Sequence, residues 1–83
     1  MTKDENWAVH PNQVRAFFEA QPGAVATEEG FLLEGCRVHL TVVPGTLLGK
    51  WPITRTQIRF EGEPEAVNIV HRRFFLAFLS AGG

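Results

Sequence analysis

The fold class follows from the stretch CRVHLTVV, residues 36–43. Apolar side chains alternate with largely polar ones along it, which is the pattern of a β-strand with one covered and one exposed face. A second alternating stretch, residues 53–61, places Ile58 and Phe60 on its apolar side. Two such strands predict a mainly antiparallel sheet with one apolar face.

The sequence before this strand predicts a short helix and a hairpin. The helix spans about residues 11–21, because Pro11 suits the first helical position and Pro22-Gly23 ends the helix. Two short extended runs within residues 24–33 flank a turn, which predicts the hairpin. Glu34-Gly35 then forms either a bulge or a second turn.

The two ends of the chain differ in character. Residues 1–6 are polar, so we expect a disordered tail. Pro64 suits the first position of a second helix, which we expect to run to Ser80. The chain therefore predicts one small α+β domain over residues 1–83. Its order is a helix, three or four mainly antiparallel strands and a helix, with both helices on one face of the sheet.

The predicted core consists of the apolar residues on the inward side of each element. At about 100° per residue, Val67, Val70 and Phe78 fall on the same side of the last helix as Phe74. The full predicted core is Val14, Phe17, Phe18, Val38, Leu40, Ile58, Phe60, Val67, Val70, Phe74 and Phe78.

Four more apolar residues of the last helix point away from the predicted core. Ile69, Phe75, Leu76 and Leu79 lie about 100° or more from Phe74. Leaving them in water is costly, so the first helix, a second copy of the chain or another protein covers them. The leading hypothesis is a non-enzymatic interaction module that forms a homodimer through this helix.

The loop over residues 44–52 is unusually apolar. Leu47, Leu48 and Trp51 make it the loop most suited to contact a partner. The alternative is that the loop folds back and caps the thin core. Both possibilities stay open at this point.

The outward face of the predicted sheet carries positive charge. Arg37, His39, Arg55 and Arg59 share this face, and Lys50 lies on the adjoining loop. Arginine pairs well with phosphate, so the second hypothesis is a binder of an anionic ligand, including nucleic acid. The alternative is a solvated face whose charge is neutralised by nearby glutamates. Eight basic and nine acidic residues give a net charge of −1, which argues against a protein that coats nucleic acid.

The chain ends in Gly82-Gly83. In this it resembles ubiquitin-like modifiers and small sulfur carriers, whose unhindered tails enter an activating enzyme. Those proteins have a strand before the tail, whereas this sequence predicts a helix up to Ser80. Its first element is also predicted to be a helix rather than a strand. Glycine after a helix is also an ordinary stop signal. A carrier protein is therefore the third hypothesis.

No catalytic site emerges from the spacing of reactive side chains. Cys36 is the only cysteine, and it lies three residues before His39, so on a strand the two face opposite sides. We find no nucleophile with a base and an orienting group, and we expect no enzyme activity, cofactor or metal. A single cysteine, a polar N-terminus and no long apolar stretch predict a soluble cytoplasmic protein that does not enter a membrane.

Overall fold

The computed structural model of the chain describes residues 1–43, 47–48, 51–52 and 55–81, and for residues 47–48, 51–52, 80 and 81 it describes the backbone alone. Seven strands and two helices follow one another along these residues. They are β1 Thr2–Trp7, α1 Pro11–Glu19, β2 Val25–Ala26, β3 Gly30–Leu33, β4 Cys36–Val43, β5 Leu47–Leu48, β6 Trp51–Pro52, β7 Arg55–Gly62 and α2 Pro64–Ala81.

Five of these strands form one antiparallel sheet in the order β1-β7-β4-β3-β2. Strands β5 and β6 pair separately with each other. The two helices share one face of the sheet, where the rings of Phe18 in α1 and Phe74 in α2 stack 5.7 Å apart. This confirms the α+β class with two helices, while the sheet has five strands instead of three or four.

The prediction of a disordered tail at residues 1–6 is wrong, because these residues form most of edge strand β1. It pairs with β7 from Thr2 opposite Glu61 to Trp7 opposite Thr56. The N-terminal ammonium group of Met1 also donates a hydrogen bond to the Gly62 carbonyl at 2.9 Å. The strand is polar because it lies at an edge, where charged side chains discourage pairing with further strands.

The Glu34-Gly35 step is a turn and not a bulge. Leu33 pairs with Cys36 across it, and both turn residues have positive φ angles of 49° and 80°. Two consecutive positive φ angles are characteristic of the tight turn that matches the twist of a β-hairpin. The α1 helix also begins as predicted, at Pro11, where the His10 ring accepts a hydrogen bond from the Asn12 amide at 3.1 Å.

The core lies between the sheet and the two helices. Eight of the predicted core residues are buried, and Phe17, Leu40 and Phe78 pack against them while remaining partly exposed. The predicted core lacked several further buried residues, among them three large apolar ones. These are Val9, Phe31 and Leu33.

None of the helices within the described residues is long and apolar enough to cross a membrane.

Candidate functional site

The inner side of α2 fixes the helix on the sheet. Val67, Val70 and Phe74 are buried, and one turn later Phe78 packs with its ring 4.7 Å from that of Phe74 and 5.6 Å from that of Phe17. Helical backbone continues to Ala81. The core therefore determines where the C-terminal end of α2 lies, while Gly82-Gly83, the basis of the carrier hypothesis, lie outside the described residues.

The opposite side of α2, here called the outer face, consists of Ile69, Arg72, Leu76 and Leu79 at spacings of three, four and three residues. All four are exposed, Ile69 by 42%, Leu76 by 57% and Leu79 by 54%. Phe75, at the flank of this face, is 38% exposed. The predicted outward orientation of the four apolar residues agrees with this geometry, and a covering partner stays a prediction.

The apolar part of the outer face is concentrated near the end of the helix. Glu65 and Asn68, which precede Ile69 on the exposed side, are polar. After Arg72, the exposed positions include Leu76 and Leu79, with Phe75 beside them. Among the side chains that the structure describes, the most apolar exposed surface of α2 thus lies within residues 75–79.

A hydrogen-bonded chain joins α2 to the N-terminal strand. The Trp7 indole N–H donates to one carboxylate oxygen of Glu5 at 2.8 Å, and Nε2 of His71 lies 2.6 Å from the other oxygen. The Trp7 ring also meets the Phe74 ring edge-on at 5.1 Å and the Phe75 ring at 6.0 Å. Sequence reasoning missed this cluster because β1 was not predicted. Residues 2–6 carry no apolar side chain, so no alternation of polarity was available as a signal.

The outer face of the sheet brings together four of the five residues predicted to bind an anion. Arg37, His39, Arg55 and Arg59 lie on it, while Lys50 lies outside the described residues. Arg59 donates to Asp4 at 2.8 Å, and the pKa of its guanidinium is raised, first by this hydrogen bond and also by the charge of Asp4.

Carboxylates surround this basic group more closely than the sequence predicted. Nδ1 of His39 lies 2.6 Å from Glu29, and Nε2 lies 3.5 Å from Glu61. A concavity of about 700 Å³ on this face is lined by these residues and by Asp4, Glu28 and Arg59. An anion would meet four carboxylates there, so anion binding stays a prediction that gains no support from the charges.

Cys36 lies in the core and not in this concavity. The residue is fully buried, and burial raises the pKa of its thiol, so the thiol is neither accessible nor nucleophilic at neutral pH. Among the residues that the structure describes, no three His, Cys, Asp or Glu side chains are grouped so that they could hold a metal ion.

The remaining predicted contact residues are Leu47, Leu48 and Trp51. Their backbone forms the β5–β6 pair, with Leu48 opposite Trp51. Their side chains lie outside what the structure describes, so a contact through this loop stays a prediction.

Comparison with known protein families gives one match that covers nearly the whole chain. The model of the family described as Archaeal MoaD-like protein matches residues 4–83. No curated protein and no solved structure matches. MoaD-like proteins are small proteins of the sulfur-carrier type with a β-grasp fold, and the α+β architecture is compatible with that fold. Because the family model matches residues 4–83, the chain belongs to the Archaeal MoaD-like protein family.

Proposed function

We propose that this protein is a sulfur carrier, and that the carboxyl group of Gly83 is the group that becomes a thiocarboxylate. The observation that carries the proposal is the family match, which extends to Gly83 and so includes the Gly82-Gly83 pair. The carrier hypothesis, third at the level of the sequence, therefore becomes the first.

Glycine suits both of the last positions for a steric reason. A residue without a Cβ atom adopts almost any backbone conformation and leaves both sides of its carbonyl group open to attack. A Gly82-Gly83 tail can therefore pass through a narrow channel in an activating enzyme.

The carboxyl group needs activation before it can accept sulfur, because oxide is a poor leaving group. A carboxylate oxygen of Gly83 attacks the α-phosphorus of ATP, pyrophosphate leaves and an acyl adenylate forms. A sulfide-level donor then attacks the acyl carbon, AMP leaves with the original oxygen, and one proton is released as the thiocarboxylate forms. Neither carbon nor sulfur changes oxidation state, so the exchange requires no oxidant or reductant.

The fold supports the proposal at one point and departs from the usual carriers at another. The first element is a strand and not a helix, which removes one sequence-based objection. The element before the tail is α2 instead of a strand. A carrier of this type thus presents its carboxyl group from the end of a helix.

The proposed role requires no catalytic group in this chain. Activation and sulfur transfer are performed by partner enzymes, and Cys36, the only cysteine, is buried. The absence of enzyme activity, the cytoplasmic location and the absence of a cofactor remain expectations from the sequence that fit this role.

The test measures the mass of the intact protein. The purified chain would be incubated with ATP, sulfide and, in turn, each carrier-adenylating enzyme of the source organism. We expect the mass to rise by the exchange of one oxygen for one sulfur, and a variant that lacks Gly82 and Gly83 to stay unchanged. No mass change with any of these enzymes, or native protein with further residues after Gly83, would refute the proposal.

Self-association through α2 is the second candidate, because the exposed Leu76 and Leu79 favour it. A homodimer predicts a mass that depends on concentration. Sedimentation of the wild-type protein over a wide concentration range distinguishes this candidate from a monomeric carrier.

A further inference from the structure

Residues 75–79 of α2 include an exposed apolar surface that the fold itself does not require. Leu76 and Leu79 lie on the outer face, and Phe75 lies at its flank beside Trp7. We propose that this surface, called the terminal patch and consisting of Phe75, Leu76 and Leu79, is the docking site for the adenylating enzyme. The proposal rests on the sulfur-carrier function.

The distance along the chain identifies the occupant. Helical backbone runs to Ala81, and under the proposed function the reacting carboxyl group belongs to Gly83, two residues further along the chain. Two fully extended residues span no more than about 7 Å, so that carboxyl group is close to the end of α2 along the chain. An enzyme that encloses ATP and the acyl group extends further than this from the reacting carbon, so it must cover the end of α2.

The distribution of polarity along α2 agrees with this occupant. Glu65 and Asn68 make the beginning of the exposed side polar, and Arg72 separates Ile69 from the terminal patch. The apolar surface thus lies where an enzyme bound to the tail would touch it. Docking energy gained here would position the carboxyl group without any contact at the reacting atoms.

A second copy of the chain fits this surface less well. In an antiparallel pair of α2 helices centred on the outer face, Arg72 of each protomer would face Leu76 of the other. Such an arrangement buries a guanidinium group against an apolar side chain, which is unfavourable without a carboxylate partner. Such a dimer would also cover the surface beside both tails.

The experiment compares two double variants of the full chain. Leu76→Glu with Leu79→Glu places two carboxylates in the terminal patch, and Asn68→Glu with Ile69→Glu places two on the exposed side of the same helix, away from it. The readout is ATP–pyrophosphate exchange by the adenylating enzyme as a function of carrier concentration. Circular dichroism melting establishes that both variants fold.

We expect the patch variant to raise KM at least about tenfold with little change in kcat. Loss of apolar side chains at the centre of an interface weakens binding by that order. The matched control should change KM less than about twofold. Leu76→Met with Leu79→Met should retain the wild-type KM, since methionine fills a similar apolar volume.

Two results would separate the failure of this proposal from the failure of the proposed function. If the wild-type protein is adenylated and both double variants share its KM, the terminal patch is not the docking site although the carrier function stands. If no enzyme adenylates the wild-type protein, both proposals fall. A wild-type dimer that the patch variant dissociates, with KM unchanged, assigns the surface to a second copy.

Discussion

The two helices pack on the same face of one sheet, but they present different surfaces to the solvent. The nine-residue α1 buries Val14 and Phe18 and exposes polar residues such as Asn12 and Arg15. The eighteen-residue α2 buries an equivalent stripe and exposes Leu76 and Leu79 as well. Packing on the sheet accounts for the buried apolar residues of α1, whereas it does not account for the exposed apolar residues of α2. These exposed residues are the observation on which the proposed docking surface rests.

The largest expected effect tests the inner side of α2. The Phe74 ring lies within 6 Å of the rings of Trp7, Phe17, Phe18, Phe60 and Phe78. Phe74→Ala should therefore lower the free energy of unfolding by about 3–5 kcal/mol, a large share of the total for a small domain.

The measurement is urea unfolding, and Phe75→Ala is the matched control one position along the helix. Its ring is more than one-third exposed, so we expect a loss of only about 1 kcal/mol. Equal losses for the two variants would show that both sides of α2 are covered within the chain and would remove the contrast with α1.

The second prediction concerns the contacts of the Glu5 carboxylate, which join α2 to β1 and have no counterpart described for α1. Glu5→Ala removes the acceptor of Trp7 and the partner of His71, both partly buried, and should cost about 1–3 kcal/mol. The control is Asp4→Ala, which breaks the exposed pair with Arg59 on the other face of the strand and should cost about 0–1 kcal/mol.

Thermal unfolding of the two variants measures this difference. If Asp4→Ala proves the more destabilising, β1 is held by the outer face of the sheet and not by α2.

The third prediction concerns the stability of the terminal-patch variant. Because Leu76 and Leu79 are more than half exposed, their replacement by glutamate should change the free energy of unfolding by no more than about 0.5 kcal/mol per site. Urea unfolding at low protein concentration provides the measurement. A loss comparable to that of Phe74→Ala would mean that these side chains are buried within the monomer.

The smallest expected effect is the pH dependence of stability that comes from the buried Cys36 thiol. Burial raises the pKa of the Cys36 thiol above its ordinary value, so the thiol is neutral in the folded state at neutral pH. Its contribution to stability is complete below the unfolded pKa and is lost as the pH rises through the folded pKa. Stability should thus fall above about pH 8.5, the ordinary pKa of a thiol, more steeply for the wild type than for Cys36→Ala. Parallel slopes in urea unfolding would contradict this expectation.

The sequence predicted the elements whose polarity alternates clearly. Strands β4 and β7 and the two sides of α2 followed from periodicity, because in each of them one side contacts the core and the other contacts water. Strand β1 escaped prediction because it lies at an edge and carries Lys3, Asp4 and Glu5, so its composition resembles that of a tail.

The candidate site was only partly predictable for a different reason. The outward position of Leu76 and Leu79 depends on local helical geometry alone, and it followed from the sequence. The Trp7–Glu5–His71 cluster joins residues 66 positions apart, which no local pattern reveals. Gly82-Gly83 is visible in the sequence, but the helix predicted before it argues against a carrier, and the family match is what makes the carrier the first proposal.

The position of β7 between β1 and β4 has a consequence for how the chain folds. β7 is the last strand of the sheet to leave the ribosome, and it pairs with β1, the first strand. Thr2 therefore cannot pair with Glu61 until β7 has been synthesised. Until β7 emerges, the nascent chain can form only the β2–β3–β4 part of the sheet. Contacts between residues so distant in sequence slow folding, because a long loop must close before any of them forms. The complete sheet is therefore expected to form in one late step, once β7 has emerged and can pair with both β1 and β4.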